Sequence, residues 1–160
     1  GSQAMLDKMK KGTRVEKAFE AVHICRRHGL KVHGFFVIGL PWETRETLEE
    51  CYRFARALDT DFFDFNIAYP LPGTEYFEIA RRDGLIEADD PGAGGYAVAA
   101  VRTYELTSAQ LTAWRRRALM KMYARPRYVM RVLGHAASSG NLGHYLRAAT
   151  QRVGSLLAPR

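Results

Sequence analysis

The sequence has little of what marks secreted, membrane-spanning or disulfide-rich proteins. It contains two cysteines in 160 residues, which are too few for a disulfide framework. No apolar run approaches the roughly 20 residues that a bilayer-spanning helix needs, and the first residues lack the basic-then-apolar order of a signal peptide. From these absences we expect a reduced, cytoplasmic setting.

Acidic residues are almost absent from the last part of the chain. Residues 1–99 contain 13 Lys and Arg against 16 Asp and Glu, a balance of −3, whereas residues 100–160 contain 11 against 1, a balance of +10. Together they give the net charge of +7. Such asymmetry is typical either of a surface for nucleic acid or an anionic membrane, or of a basic tail that packs on an acidic body or is solvated. We favour the second interpretation.

What is present is a hydrophobic content of 47%, ordinary for one domain with a core. Residues 32–38 form an apolar run without strict alternation, typical of a parallel strand that is buried on both faces. Gly39 and Pro41 end this strand, and Thr44 is placed to cap a helix that ends near Asp59. In α/β proteins, ligands bind at such strand-to-helix turns.

The flanking segments continue the alternation of helices and strands. A helix over residues 4–11 precedes a second one, which a Thr13-x-x-Glu16 capping box opens and Gly29 ends. Residues 61–69 alternate as a strand, with aromatic and aliphatic residues on one face and Asp64 and Asn66 on the other. Residues 70–74 then turn the chain into a helix that Thr74 caps and Gly84 closes. This order predicts an α/β fold with a parallel sheet or barrel.

After Gly84 the pattern changes from alternating elements to helices. Residues 89–95 read as a loop and residues 96–104 as at most a short strand. A Thr107-x-x-Gln110 capping box opens a helix, Pro126 separates it from a second helix that ends near Ser138, and an amphipathic helix follows over about residues 142–157. We therefore divide the chain into a βα part (1–86), a linker (87–106) and a helical extension (107–160).

The residues by themselves offer little catalytic chemistry. Cys25 and Cys51 lie on the apolar faces of separate helices and are interpreted as structural thiols, and the five histidines show no metal-binding spacing. Glu43 follows the turn at the ligand-facing end. Either Glu43 hydrogen-bonds a bound small molecule, or it is simply an acidic residue in a favourable position at a helix N-terminus. Asp64 and Asn66 either line a polar pocket or face water.

Several segments, taken in order, resemble one enzyme family. Residues 1–3 and 6–13 read Gly-Ser-Gln and Leu-Asp-Lys-Met-Lys-Lys-Gly-Thr, residues 36–44 read Phe-Val-Ile-Gly-Leu-Pro-Trp-Glu-Thr, and residues 70–74 read Pro-Leu-Pro-Gly-Thr. With the arginine-rich segment 115–128, they resemble the C-terminal half of a radical SAM enzyme from the subfamily with an N-terminal cobalamin-binding domain. The resemblance implies the last strands of a partial (βα) TIM-like barrel, followed by an α-helical C-terminal extension.

The resemblance also assigns residues to cofactors. Ser2 and Gln3 match a segment that contacts the ribose or methionyl part of S-adenosylmethionine. Ile38, Gly39 and Pro41 match the turn that lines its adenosyl part. Glu43 matches the acid that ends this motif. The residues assigned to the substrate or cobalamin side are Asn66, Tyr69, Pro72 and Gly73.

Two features depart from the family pattern. Trp42 stands where glycine is usual, and the chain has no Cys-x3-Cys-x2-Cys to hold a [4Fe–4S] cluster. We therefore expect a fragment that does not catalyse by itself. Its cluster ligands and cobalamin domain would belong to a missing N-terminal half of the same protein. Its isolated form would be poorly soluble or would self-associate, because a strand edge would be unpaired and an apolar face exposed.

The resemblance implies a methyltransferase-type reaction on a small molecule, with an isoprenoid lipid or a tetrapyrrole as candidate substrates. The alternative is a free-standing α/β module whose basic helical tail binds nucleic acid or an anionic membrane surface. Nucleic acid is the less favoured partner, because the tail lacks glycine-aromatic RNA motifs. For the last helix, peripheral contact with a membrane is an alternative to packing against the barrel, and we favour the packing.

Overall fold

A computed structural model describes residues 1–87, 95–138 and 147 of the chain. The chain divides into two compact units, one over residues 1–115 and the other from residue 116 onward. The described helices and strands, in order, are α1 (Gln3–Lys8), α2 (Val15–Arg27), β1 (His33–Ile38), α3 (Arg45–Leu58), β2 (Phe62–Ile67), α4 (Glu75–Arg82), α5 (Ser108–Tyr123) and α6 (Pro126–Ser138). No helix in this described part is long and apolar enough to cross a membrane.

The two strands form a parallel pair, which confirms the predicted α/β class. His33 lies opposite Phe62, and Ile38 lies opposite Ile67. Because α3 connects the strands, β1, α3 and β2 form one βαβ unit. Within the described residues the sheet consists of these two strands, so the wider barrel stays a prediction.

One face of the sheet is buried and the other is largely open. Phe36 on β1 packs edge-on against Phe54 of α3, and Phe65 on β2 packs edge-on against Trp114 of α5. On the opposite face, Phe35 is 62% exposed. The prediction that β1 is buried on both faces is therefore wrong. Among the described residues, α3 and α5 pack on the same side of the sheet, through Phe36 and Phe65.

The alternation predicted for β2 is confirmed, because its aromatic and aliphatic face is buried. Phe63, Phe65 and Ile67 are each at most 2% exposed. The α3 side chains that pack towards the same core are Leu48, Cys51, Ala55 and Leu58. The core of the first unit thus lies between the sheet and its helices.

Three of the four predicted N-terminal helix caps are confirmed. The Thr44 hydroxyl accepts a hydrogen bond from the Thr47 backbone N–H at 3.3 Å, and Thr74 accepts one from the Phe77 N–H at 3.2 Å. The capping box before α5 forms in both directions, because the Thr107 and Gln110 side chains each accept from the other residue's backbone N–H.

The capping box predicted before α2 is wrong. The N-cap residue of α2 is Arg14, and its side chain makes no capping hydrogen bond. Instead the Val15 backbone N–H donates to Gln3 Oε1 at 3.0 Å. A side chain from α1 therefore satisfies the helix end that the sequence pattern assigned to a local cap.

The described residues between α4 and α5 include part of the core of the first unit. Ile86 and Val101 form an isolated antiparallel bridge, and Leu85 and Val101 lie in a buried cluster with Ala80 and Ala100. A short 3₁₀ helix spans Gly95–Ala97. The predicted short strand in this region is thus reduced to a single bridge.

The second unit begins inside α5 and includes α6. α6 starts at Pro126 and ends at Ser138, as predicted. The Tyr123 and Tyr128 rings meet edge-on, with centroids 5.4 Å apart, and the Arg131 guanidinium lies 5.7 Å from the Tyr128 ring centroid. The helix predicted over about residues 142–157 lies outside the described residues, apart from Arg147.

Candidate functional site

The first candidate site is the turn after β1, residues 39–44, which we call the first turn. Gly39 has a φ of +83°, in the region that favours glycine. A Cβ at this position would lie 3.2 Å from Ile67 Cγ2 on β2. Backbone conformation and close packing therefore both require glycine here.

Glu43 braces the first turn from within. Its side chain is buried, Oε2 accepts from the Gly39 N–H at 3.0 Å, and Oε1 accepts from the Thr47 hydroxyl at 2.8 Å. Burial raises the pKa of Glu43 above its ordinary value, while these hydrogen bonds act in the opposite direction. Since both carboxylate oxygens bind groups of the chain itself, contact between Glu43 and a ligand stays a prediction.

Tyr76 holds the same turn from the other side. Its hydroxyl donates to the Gly39 carbonyl oxygen at 3.1 Å, and burial of the ring raises the pKa of Tyr76 well above its ordinary value. The carbonyl oxygens of Leu40 and Pro41 accept from the backbone N–H groups of Glu43 and Tyr104, each at 2.9 Å. The turn backbone is therefore largely engaged within the chain, and it is better suited to apolar contact with a ligand than to hydrogen bonding.

The second candidate site is the turn at residues 70–74, which we call the second turn. Gly73 has a φ of +83°, and the Thr74 hydroxyl donates to the Leu71 carbonyl oxygen at 2.6 Å. Pro72 and Gly73 are exposed, and Tyr69 is half-buried. Both turns follow the carboxyl ends of the parallel strands, and Tyr76 of α4 links the second turn to Gly39. The structure thus brings the two predicted turns to one end of the sheet.

The open face of the sheet holds the predicted polar residues. Asn66 lies beside Val37 in the parallel register and is half-buried. Asp64 is buried, and Arg115 Nη2 donates a hydrogen bond to its Oδ1 at 3.0 Å. Arg115 also donates from Nε to the Phe65 carbonyl oxygen. Asp64 therefore lies in an ion pair, while Asn66 remains available to line a pocket.

Ser2 and Gln3, which were both predicted to contact S-adenosylmethionine, differ in their surroundings. The Gln3 amide is used by the chain itself: besides accepting from Val15, it donates to Asp7 Oδ1 at 2.8 Å and to the Thr13 carbonyl oxygen at 3.2 Å. Ser2 is buried but lines a cavity of about 580 Å³. Gln3 is thus committed to joining α1 and α2, whereas Ser2 lies at a cavity wall.

This cavity lies along β1. Its described lining includes Phe35 and Val37, together with Leu40 and Glu43 of the first turn and Ser2. It thus brings together Ser2 and Glu43 among the predicted cofactor residues. The described lining does not include the other four, Gln3, Ile38, Gly39 and Pro41. Trp42 lies outside this lining as well, with the Lys8 ammonium 5.7 Å from its ring centroid.

The residues present do not fit an iron–sulfur cluster. The sequence has two cysteines, and burial raises the pKa of Cys51 to about 11, whereas a cluster needs thiolate ligands. Among the described residues no three metal-ligating side chains come together. For S-adenosylmethionine the fit is partial. The first turn supplies apolar surface, but the polar groups of Gln3 and Glu43 are already hydrogen-bonded within the chain.

Sequence reasoning missed Tyr76 and Arg115, the two side chains that tie these elements together. Tyr76 bonds a residue 37 positions away, and Arg115 bonds one 51 positions away. The only available signals were their positions, one just after the second turn and the other in an arginine-rich helix. Neither position indicates a partner.

Comparison with known proteins finds relatives that are longer than this chain. No protein-family model matches it. It is 32% identical over 130 residues to an uncharacterized methyltransferase of Pyrococcus horikoshii, covering 81% of this chain and 28% of that protein. It is 35% identical over 80 residues to an anaerobic magnesium-protoporphyrin IX monomethyl ester cyclase of Cereibacter sphaeroides, covering 50% and 13%.

A third relative is also longer than this chain. The chain is 30% identical over 90 residues to a bacteriochlorophyllide d C-8(2)-methyltransferase of Chlorobaculum tepidum, covering 55% of this chain and 20% of that protein. The chain therefore spans between 13% and 28% of the length of these three relatives. It is similar to methyltransferases and to a cyclase through one limited segment of each.

Proposed function

We propose that the chain is the C-terminal part of a radical SAM enzyme of the subfamily with an N-terminal cobalamin-binding domain, and that the whole enzyme is of methyltransferase type. The observation that carries the proposal is the placement of its two motif turns at one end of a βαβ unit, joined by the hydrogen bond from Tyr76 to Gly39. Ligands of α/β proteins bind at this end of the sheet. Similarity to proteins named as methyltransferases supports the type of reaction.

The outer edge of β1 supports the partial-barrel part of the proposal. The Phe62 N–H donates to the Val32 carbonyl, and the Ala68 N–H donates to the Ile38 carbonyl. Since backbone groups alternate in direction along a strand, those of Phe35 and Val37 point away from β2. No described strand pairs with this edge. We infer that a preceding strand of the same protein occupies it.

The open face of the sheet supports an interior position in the whole protein. Phe35 and Val37 are both exposed, although their side chains would be favoured in an apolar environment. In a closed or partly closed barrel this face lines the interior, where a substrate binds. The face would then place Asn66 among apolar side chains, as one polar group that orients a largely apolar molecule.

In the whole protein, a [4Fe–4S] cluster would supply the electron for reductive cleavage of S-adenosylmethionine, and cobalamin would supply the methyl group. The residues of this chain would hold none of the cluster. The first turn would form an apolar wall beside the adenosyl group, with Glu43 and Tyr76 keeping its backbone in place. The second turn, with Tyr69, Pro72 and Gly73, would face the substrate or cobalamin side.

For the substrate we propose an apolar small molecule, either a tetrapyrrole or an isoprenoid lipid. The exposed aromatic and aliphatic side chains on the open sheet face suit either class. Two relatives are named for tetrapyrroles, magnesium-protoporphyrin IX and bacteriochlorophyllide d. Tetrapyrrole is therefore the first class to test.

The coding sequence upstream of Gly1 tests the proposal. We expect an open reading frame that continues upstream and encodes a Cys-x3-Cys-x2-Cys and, before it, a cobalamin-binding domain. An in-frame stop codon just upstream of Gly1, or an upstream region without the three cysteines, would contradict the proposal. The alternative of a free-standing module would then be favoured.

A further inference from the structure

We propose that α6, in the second unit, binds the surface of an anionic phospholipid bilayer. The inference is independent of the proposed function, because it uses only residues from Arg116 onward. The predicted membrane contact involved residues 142–157, which, apart from Arg147, lie outside the described part of the chain. Among the described residues of this unit, α6 exposes three large apolar side chains.

An apolar stripe on α6 carries the proposal. Met130 is 73% exposed, Leu133 is 50% exposed and Val129 is 42% exposed, and we call these three residues the apolar stripe. Met130 and Leu133 are three positions apart and therefore lie on the same side of the helix. Large apolar side chains scattered singly on a surface are common, but a contiguous group on one helix marks an interaction site.

Charge identifies the partner. Residues 116–160 contain nine Lys and Arg and no Asp or Glu. Arg127 is exposed on α6 three positions before Met130, and on α5 the exposed Met120 lies beside Lys121 and three positions after Arg117. Apolar side chains among cations, with no acidic residue, match a helix that lies in the interface of an anionic bilayer. A second copy of this chain would instead bring its own cations against these.

Helix length sets the geometry of the contact. α6 has 13 residues, a length of about 20 Å at 1.5 Å per residue. This is shorter than the roughly 30 Å hydrocarbon core of a bilayer, so the helix would lie along the surface. Nucleic acid would use the same cations but would gain little from an exposed Met130 and Leu133. Substitutions in the apolar stripe should therefore weaken binding to a bilayer but not binding to nucleic acid.

The test is sedimentation of the 160-residue chain with phosphatidylcholine vesicles, with and without about 30% phosphatidylserine. We expect binding to the phosphatidylserine vesicles and little to phosphatidylcholine alone. Binding should weaken when NaCl rises from about 0.1 M to about 0.5 M. Sedimentation without vesicles measures any self-association and is subtracted.

Two double variants decide which side chains act. Met130→Ser with Leu133→Ser should lower the vesicle partition coefficient by about tenfold or more. Ile24→Ser with Leu30→Ser, which changes two exposed apolar residues of the first unit, is the matched control and should leave it unchanged. Circular dichroism confirms that both variants fold alike.

Three results would overturn the proposal. The first is absence of binding to phosphatidylserine vesicles. The second is equal loss of binding in the two double variants. The third is retained binding in the variant of the apolar stripe, which would indicate a purely electrostatic surface of the kind that nucleic acid uses. A parallel titration with double-stranded DNA then measures that alternative.

Discussion

The hydrogen bond from Tyr76 to Gly39 provides the sharpest test of how the first turn is held. Tyr76→Phe removes the hydroxyl and keeps the ring, so apolar burial is unchanged. The variant loses one neutral hydrogen bond of 3.1 Å and leaves a carbonyl oxygen with one partner fewer. We expect the free energy of unfolding to fall by about 1–2 kcal/mol, since such a bond contributes about 1 kcal/mol and an unpaired buried group costs more.

The assay is urea unfolding followed by circular dichroism at low protein concentration. The matched control is Tyr96→Phe, because Tyr96 is 62% exposed and loss of its hydroxyl should change stability by less than about 0.5 kcal/mol. The denaturant slope should be the same in both variants, so that midpoints compare directly. Equal midpoints for the two variants would refute the idea that Tyr76 holds the turn.

Three further predictions concern the same unit. Gly39→Ala should destabilise it by about 2 kcal/mol or more in the same assay, because the positive φ costs about 1–2 kcal/mol and the new Cβ would press on Ile67; an unchanged midpoint would contradict the assigned backbone. Phe35→Ser should reduce self-association of the isolated chain in sedimentation velocity, because it removes an exposed aromatic ring from the open sheet face; a wild-type chain that is already monomeric would contradict this. Hydrogen bonds from Arg82 and Tyr104 lower the pKa of Asp83 to about 2. The ionised carboxylate therefore stabilises the fold above the unfolded pKa, and this stabilisation is lost as the pH falls through about 2. A carboxyl NMR titration with a midpoint near 4 would contradict this prediction.

The sequence predicted the elements well where local chemistry determines them. The strand that ends at Gly39, the helix capped by Thr44 and the alternating strand over residues 61–69 all appear close to their expected bounds. Each depends on a periodic pattern and on a cap or breaker within a few residues. Such signals need no knowledge of the rest of the fold.

The errors arose where distant residues decide. The N-terminus of α2 is satisfied by Gln3, twelve positions before Val15, so the nearby Thr13-x-x-Glu16 pattern was misleading. The apolar run of β1 correctly indicated a strand, but burial on its second face would need elements that the described residues do not supply. A local sequence pattern indicates which side chains are favoured in a buried position. Whether they are buried depends on tertiary contacts with distant residues.

For the candidate site too, local features were predictable from the sequence and long-range contacts were not. The motif resemblance located both turns, but it could not show that Glu43 and Tyr76 fix the backbone of Gly39 from two sides. Nor could it show that Arg115 pairs with Asp64. These contacts connect residues from separate helices and strands, and a single sequence carries no record of such pairs.

Cleavage of S-adenosylmethionine by the complete reading frame tests the central claim most directly. The protein would be produced with its upstream sequence, reconstituted with iron and sulfide without oxygen, and supplied with cobalamin and dithionite as reductant. The account predicts that 5′-deoxyadenosine and methionine accumulate, and that the 160-residue chain alone gives neither. Failure of a reconstituted, cluster-containing protein to form 5′-deoxyadenosine would contradict it.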